Sequence, residues 1–254
     1  MVALAVMALL AMTLRETKRL GISQDIIYSL FLWGIIGGFI VSRLVHVIDY
    51  WEYYVANPGG IIGFAGLSLY GAIIGALLAV WLYMRVRGIP FASLAGVGDS
   101  IAVGAPLAQA IGRVGCTING CCHGKLSPFH SFPGAVFYTP RDTIPSQYWG
   151  MPLYPTQLYF LLWNLVAFAT VWQLRDRLKP RGSLFFLYLC LYAAGDFGLR
   201  FFRVNEPFLL GLHQGQVISL AILVIAVPWL IIRMRRFQRS SQHSADSIQH
   251  QSDS

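Results

Sequence analysis

Apolar runs of near membrane-crossing length recur along this chain, divided by short turns of Gly, Pro and charged residues. A helical crossing needs roughly 20 mainly apolar residues. Inside a bilayer each segment must satisfy its own backbone polar groups, which favours helices. Seven candidate helices result, over about 2–14, 26–48, 66–84, 93–112, 156–173, 183–202 and 215–232. The first is short for a crossing. It reads either as a tilted or interfacial segment or as part of a longer helix, and it lacks the basic leader of a secretory signal. Asn57-Pro58-Gly59-Gly60 and Lys179-Pro180-Arg181-Gly182 are typical of the turns. Composition agrees, with 56% apolar and 12% charged residues, against about 25% charged in a soluble domain. The expected fold is an all-α polytopic membrane protein. It has about seven transmembrane helices and an extracytoplasmic loop between helices four and five. Residues 1–236 form one membrane domain, and 237–254, rich in Ser, Gln and His, form a disordered cytoplasmic tail.

The net charge of +8 first suggests a nucleic-acid partner, but the positions of the charges point elsewhere. Thirteen of the 19 basic residues fall on one side of the seven-helix arrangement, at 15–19, 85–87, 175–181 and 233–239. The other side has no Lys or Arg between His46 and Gly66, and its long loop, 113–155, holds only Arg113, Lys125 and Arg141. The positive-inside rule then places the C-terminus in the cytoplasm and the long loop outside. The excess charge sets orientation, and no nucleic acid is needed to explain it.

Six charged residues remain near apolar surface: Arg43, Asp99, Arg113, Asp196, Arg200 and Arg203. A charge there is costly and needs a reason. The four arginines fall toward the outer ends of their helices, and planar guanidinium forks suit the oxygens of a phosphate. Snorkelling or ion pairing is the plainer alternative for Arg43 and Arg203. Arg113 stands out, because Gly112-Arg113-Val114-Gly115-Cys116-Thr117-Ile118-Asn119-Gly120-Cys121-Cys122-His123-Gly124-Lys125 directly follows an apolar run. Glycines in a turn would let backbone N–H groups approach an anion. Asp196 and Arg200 are one helical turn apart and can pair. Asp99 is expected to cap or pack. Tyr70 is either an interface anchor or a hydrogen-bonding partner to substrate. The C-x4-C-C-H spacing of Cys116, Cys121, Cys122 and His123 fits no common zinc motif. A redox C-x-x-C is absent, although Cys116 could bridge either neighbour of the Cys121–Cys122 pair. Small packing residues are the plain alternative for all three.

These motifs resemble the bacterial prolipoprotein diacylglyceryl transferases. The resemblance runs through Gly37-Gly38, Ser42-Arg43-Leu44 and Gly66-Leu67-Ser68-Leu69-Tyr70-Gly71. It continues through Gln109 to Gly124, through Tyr154-Pro155-Thr156-Gln157-Leu158-Tyr159, and through Tyr192 to Arg203. It implies transfer of the diacylglyceryl group of phosphatidylglycerol onto the lipobox cysteine thiol of a prolipoprotein signal peptide, the first step of lipoprotein maturation. The implied location is the bacterial cytoplasmic (inner) membrane, with the active site facing outward. Phosphatidylglycerol, the prolipoprotein and membrane lipids are the implied partners; no metal and no cofactor are required. By resemblance, Arg113 binds phosphatidylglycerol, and Asn119, Gly124, Arg203 and Arg43 help to bind substrate. Arg113, Arg200 and Tyr70, the last as general base, make up the catalytic set.

The chain departs from the family pattern at three places. Asp196 and Arg200 stand where the family has Arg-x-x-x-Glu, so the cation moves one turn, roughly 6 Å. Tyr154 and Phe160 stand where the family has His and Glu. The first helix also begins later than is usual. These departures motivate two alternatives: a phospholipid-dependent transferase with another donor or acceptor, and a non-catalytic thiol-, metal- or lipid-binding membrane protein built on the cysteines.

Overall fold

The computed structural model describes the chain except residues 62–67, 91–92, 205–206, 210 and 253–254; at 69, 70, 94, 207, 241 and 243–252 it describes backbone alone. The α-helices are α1 (Val2–Arg19), α2 (Gln24–Asp49), α3 (Trp51–Ala56), α4 (Leu69–Val86), α5 (Ser93–Ile118), α6 (Thr156–Leu174), α7 (Ser183–Leu199) and α8 (Gln214–Ser252). One small antiparallel hairpin, β1 (Pro207–Leu209) with β2 (Leu212–His213), interrupts the expected all-helical plan.

Among the described residues, five helices are long and apolar enough to cross a membrane: Gln24–Asp49, Ala95–Ile118, Thr156–Leu174, Ser183–Phe202 and Gln214–Ser240. This measure accounts for five of the expected seven. The apolar part of α4, Gly71–Val86, is shorter. α1 carries Arg15, Glu16, Lys18 and Arg19 within its 18 residues. The many exposed Leu, Ile, Val and Trp side chains of α2, α4 and α8 suit a lipid-facing surface. The chain is a membrane protein of several apolar helices. Two boundaries also move. α5 continues to Ile118 instead of stopping near 112, and α8 runs unbroken to Ser252, through most of the tail expected to be disordered. No Gly or Pro occurs from 237 to 252 to stop it.

The chain divides into two compact units, Thr17–Leu94 and Met1–Glu16 with Ala95–Ser254. In the first, α2 and α4 lie against each other through small residues. A Cβ on Gly71 would stand 2.7 Å from Ser42 Cα, and one on Gly75 would stand 2.6 Å from Val41 Cβ. Close backbone approach of this kind is what small residues four apart permit between membrane helices. Ser42 and Ser68 tie the entrance of α4 to α2. The Ser42 hydroxyl donates to the Ser68 carbonyl at 2.8 Å, and the Ser68 N–H donates to the Ser42 carbonyl at 3.3 Å.

In the second unit, Ala102 and Val103 of α5, Val171 of α6, and Leu184 and Tyr188 of α7 form a core. Asp99 of α5 accepts the N–H groups of Gly182 at 2.5 Å and Phe185 at 2.9 Å. It therefore caps the start of α7 from a neighbouring helix, where backbone donors lack partners. The Trp163 indole of α6 donates to the Leu191 carbonyl of α7 at 2.9 Å, in the space left by the missing side chain of Gly195. The connection from 119 to 155 is an ordered loop with its own small core of Tyr138, Ile144 and Leu153. Backbone bonds join Val136 to Leu153, Lys125 to Phe202, and Tyr154 to Lys125.

Candidate active site

Arg113 lies inside α5, about a turn and a half before its end, and not in a turn after it. Gly112 and Gly115 are helical, so their N–H groups serve the helix and form no anion nest. Gly115 has a packing role instead. A Cβ on Gly115 would stand 2.7 Å from Met1 Cβ, while Gly112 faces open space. The helix stops where Gly120 takes a left-handed φ of 61°. Gly120 N–H donates to the Thr117 carbonyl at 3.2 Å, and Cys121 N–H donates to the Cys116 carbonyl at 3.1 Å. This is a Schellman ending, with Gly120 at its left-handed position.

The Arg113 guanidinium lies over the Phe160 ring, 4.3 Å from its centroid. Phe160, where the family resemblance led us to expect a carboxylate, is thus a cation–π platform. Gly112, Arg113 and Cys116 of α5 line a cavity of about 330 Å³ with Phe160, Trp163 and Asn164 of α6 and Tyr192 and Asp196 of α7. Sequence reasoning missed Trp163, Asn164 and Tyr192. The spacing of Phe160, Trp163 and Asn164 on one helical face was the available signal.

Asp196 is buried, and its Oδ2 accepts from Arg200 Nε at 2.5 Å and from the Ser219 hydroxyl at 2.9 Å. The Arg200 guanidinium fills the space above Gly215, where a Cβ would overlap it. Arg200 is thus paired and wedged. Arg203 follows on, bridged through its backbone to Gly124. Its Nε is buried and has no hydrogen-bond partner among the described residues. Burial, and then the nearby Arg113 and Arg200 charges, lower its pKa from the ordinary guanidinium value, against the opposing pull of Cys122 and Asp196. Arg113, Arg200 and Arg203 therefore share one neighbourhood, with Asp196 as the carboxylate lining its cavity. Such a surplus of positive charge attracts an anion.

Gly124 matters sterically. A Cβ there would stand 2.6 Å from Tyr154 Cβ and 2.8 Å from the Phe202 carbonyl. Asn119 is exposed and donates to the Thr143 hydroxyl at 3.3 Å, while that hydroxyl donates to the Asn119 carbonyl at 2.9 Å. Its amide thus braces the loop. In the other unit, Arg43 donates to the carbonyls of Ile61 at 3.0 Å and Gly60 at 2.5 Å, and lies 5.1 Å from the Tyr54 centroid. Tyr70 is in the first turn of α4, and its side chain lies outside the described residues.

Two further residues hold the turn after α5. Thr156 donates its hydroxyl to the Cys122 carbonyl at 2.8 Å, and Gln157 donates its amide to the Cys121 carbonyl at 2.6 Å and to the Tyr138 hydroxyl at 2.7 Å. The Pro-Thr-Gln-Leu segment therefore serves as a clamp on the cysteine turn. Burial raises the Tyr138 phenol pKa above its ordinary value.

Residues 1–232 match the family model described as prolipoprotein diacylglyceryl transferase. A phosphatidylglycerol–prolipoprotein diacylglyceryl transferase of Dehalococcoides mccartyi is 39% identical over 96% of this chain and 91% of its own length. One from Bacillus cereus is 35% identical over 91% of this chain and 84% of its own. One from Clostridioides difficile is 32% identical over 82% and 78%, respectively. The extent and identity of these matches lead to one assignment: the chain belongs to the prolipoprotein diacylglyceryl transferase family.

Proposed function

We propose that this protein transfers the diacylglyceryl group of phosphatidylglycerol to the lipobox cysteine thiol of a prolipoprotein. The observation that carries the chemistry is Arg113, held over Phe160 at the wall of a cavity with Arg200 and Arg203 nearby. In the reaction the substrate sulfur attacks the glycerol carbon. The carbon–oxygen bond to phosphate breaks, glycerol 1-phosphate departs with the bonding pair, and a thioether remains. Negative charge grows on the departing phosphate, where preorganised guanidinium groups stabilise it most. Arg113 and Arg203 are the phosphate ligands. Arg200, neutralised by Asp196, orients the wall between them. Gly124 keeps the Arg203 segment close, and Asn119 braces the loop. For Arg43 in substrate binding and Tyr70 as general base, the proposal rests on family resemblance alone.

The enzyme sits in the bacterial inner membrane, and the cavity opens on the extracytoplasmic side. α1 and α4 join the five long helices to make seven crossings, and the tail beyond 236 lies in the cytoplasm. The Lys and Arg distribution supports this orientation. The test is direct: purified protein should lipidate a lipobox peptide in the presence of phosphatidylglycerol, with the thioether read by mass spectrometry. No product from a folded sample beside an active relative would refute the assignment. The Asp196–Arg200 order and Phe160 favour one second reading, a different phospholipid donor. Lipid mass spectrometry of cells with and without the protein separates the two, because only the second reading predicts depletion of another lipid.

A further inference from the structure

We propose that the inner-leaflet end of α8 holds one anionic phospholipid, with its phosphate between Arg233 and Arg236 and its acyl chains along Trp229 and Ile232. The leaflet follows from the orientation proposed above; the site itself depends neither on that orientation nor on the transferase assignment. A cavity of about 620 Å³ lies where Trp229, Ile232, Arg233, Arg236 and Ser240 of α8 meet Pro180, in the turn before α7. These α8 positions are spaced three or four apart and so share one face of the helix. The site is distinct from the Arg113 cavity. Ser219 of α8 bonds Asp196 at that cavity, and Trp229 stands about 15 Å further along the helix.

The cavity is divided as a lipid is. The apolar run of α8 ends at Ile232, and Arg233, Arg235 and Arg236 follow within four residues. Trp229 stacks on Phe186 of α7, with ring centroids 5.5 Å apart and planes 27° apart. It nevertheless stays half-exposed, as does Ile232. An indole at the end of an apolar helix suits the membrane interface, with acyl chains on one side and headgroups on the other. The far end of the cavity is basic. Arg233 donates from a terminal guanidinium nitrogen to the Arg181 carbonyl at 2.5 Å. Its Nε is buried and has no hydrogen-bond partner among the described residues. Asp99 lies within electrostatic reach of Arg233, but its oxygens already accept the N–H groups of Gly182 and Phe185. Arg236 is exposed, and Lys179 and Arg181 flank Pro180 in the facing turn. Positive charge there is left for an anion.

Orientation in the membrane requires cations on one side, but no cavity between them. Arg235 and Arg239 supply such charge beside a separate hollow on the adjoining face of α8. A free phosphate would use the guanidinium end of the Arg233 cavity and leave Trp229 and Ile232 without a role. An anionic phospholipid uses both ends. Planar guanidinium forks match phosphate oxygens, and basic pockets between membrane helices suit acidic headgroups. Bound there, the lipid joins the turn before α7 to the basic end of α8.

The experiment reads Trp229 fluorescence from the full-length chain in phosphatidylcholine vesicles, as the difference between the unmutated protein and Trp229→Phe. The subtraction removes the other tryptophans, including Trp163 at the Arg113 cavity. Phosphatidylglycerol or phosphatidylcholine brominated on its acyl chains is the quencher, added at rising mole fraction. Quenching of Trp229 should saturate at a low fraction of the brominated anionic lipid and follow the bulk fraction of the zwitterionic one. Arg233→Gln and Arg236→Gln should each raise the half-saturating fraction about fivefold, the usual weight of one guanidinium at an anionic surface. Arg235→Gln and Arg239→Gln, which remove the same charge from the adjoining face, should raise it less. Inorganic phosphate should displace no more lipid than chloride at equal ionic strength. Equal half-saturation by the two brominated lipids in the unmutated chain overturns the site, whatever the folding of the variants. Equal shifts from the two arginine pairs overturn it in favour of unspecific surface attraction, and selective displacement by phosphate overturns it in favour of a free anion.

Discussion

At the scale of single residues, Arg113 bears the greatest chemical demand. Replacing it with Ala should lower turnover by about 10²–10³-fold, the usual cost of removing one preorganised donor to a developing anion. Lys should restore little, since a point charge reproduces neither the planar fork nor the stacking on Phe160. Single-turnover thioether formation by purified variants checks both, and unchanged turnover in the Ala variant would remove Arg113 from the mechanism. The reversed Asp196–Arg200 pair makes a second claim. Ser219 donates to Asp196, and Gly215 leaves room for Arg200, so the order Asp-then-Arg is built into α8 as well as α7. Gly215→Ala should push Arg200 off Asp196 and lower the melting temperature, whereas Ala at the open position Gly112 should not. Arg113 was legible from sequence because a cation among apolar residues needs a reason. Phe160 beneath it was not, because cation–π stacking depends on how α5 meets α6.

Among the secondary-structure elements, the end of α5 decides the most. Gly120 holds the turn at φ 61°, and a Cβ there would also strike the Asp142 side chain. Gly120→Ala should therefore cost about 1–2 kcal/mol from backbone handedness alone, with the steric clash in addition. The variant should show earlier thermal unfolding in detergent and weakened activity. Tyr138 sets a pH limit on the same loop. Its pKa is raised by burial above the ordinary 10.0, so the folded state holds this proton more tightly than the unfolded state. That stability is fully present below pH 10 and is lost as pH rises through the folded value. The gap in melting temperature between the unmutated chain and Tyr138→Phe should hold from pH 7 to 9 and narrow above pH 10; a constant gap at high pH would refute it. Helix existence was readable from apolar runs, but this helix end was not. Gly112 and Gly115 resemble stop signals, yet both continue the helix, Gly115 in contact with Met1, and the stop falls at the glycine that takes a positive φ.

For the whole molecule, the decisive question is whether α4 crosses the membrane. Its 18 residues rise about 27 Å, slightly less than a hydrocarbon core of about 30 Å, and length alone does not decide. Parity does. If α4 crosses, Arg15–Arg19 fall on the same side as Arg85, Arg87, Arg175–Arg181 and Arg233–Arg239, and the 119–155 loop falls opposite them all. If it does not, Arg15–Arg19 are left across the membrane from the other three basic clusters, against the positive-inside rule. Short loops follow that rule most closely, and the connections after α4 and after α6 are both short. Flanking residues can also snorkel to cover a small mismatch. Single cysteines introduced at the exposed positions Gly59 and Pro90, on either side of α4, in a chain lacking its native cysteines, should therefore react differently in intact cells. A membrane-impermeant maleimide should label position 59 and reach position 90 only after lysis, and equal labelling of the two would mean that α4 does not cross. Reversed labelling would invert the orientation, place the Arg113 cavity on the cytoplasmic face, and separate it from acceptors already exported across the membrane.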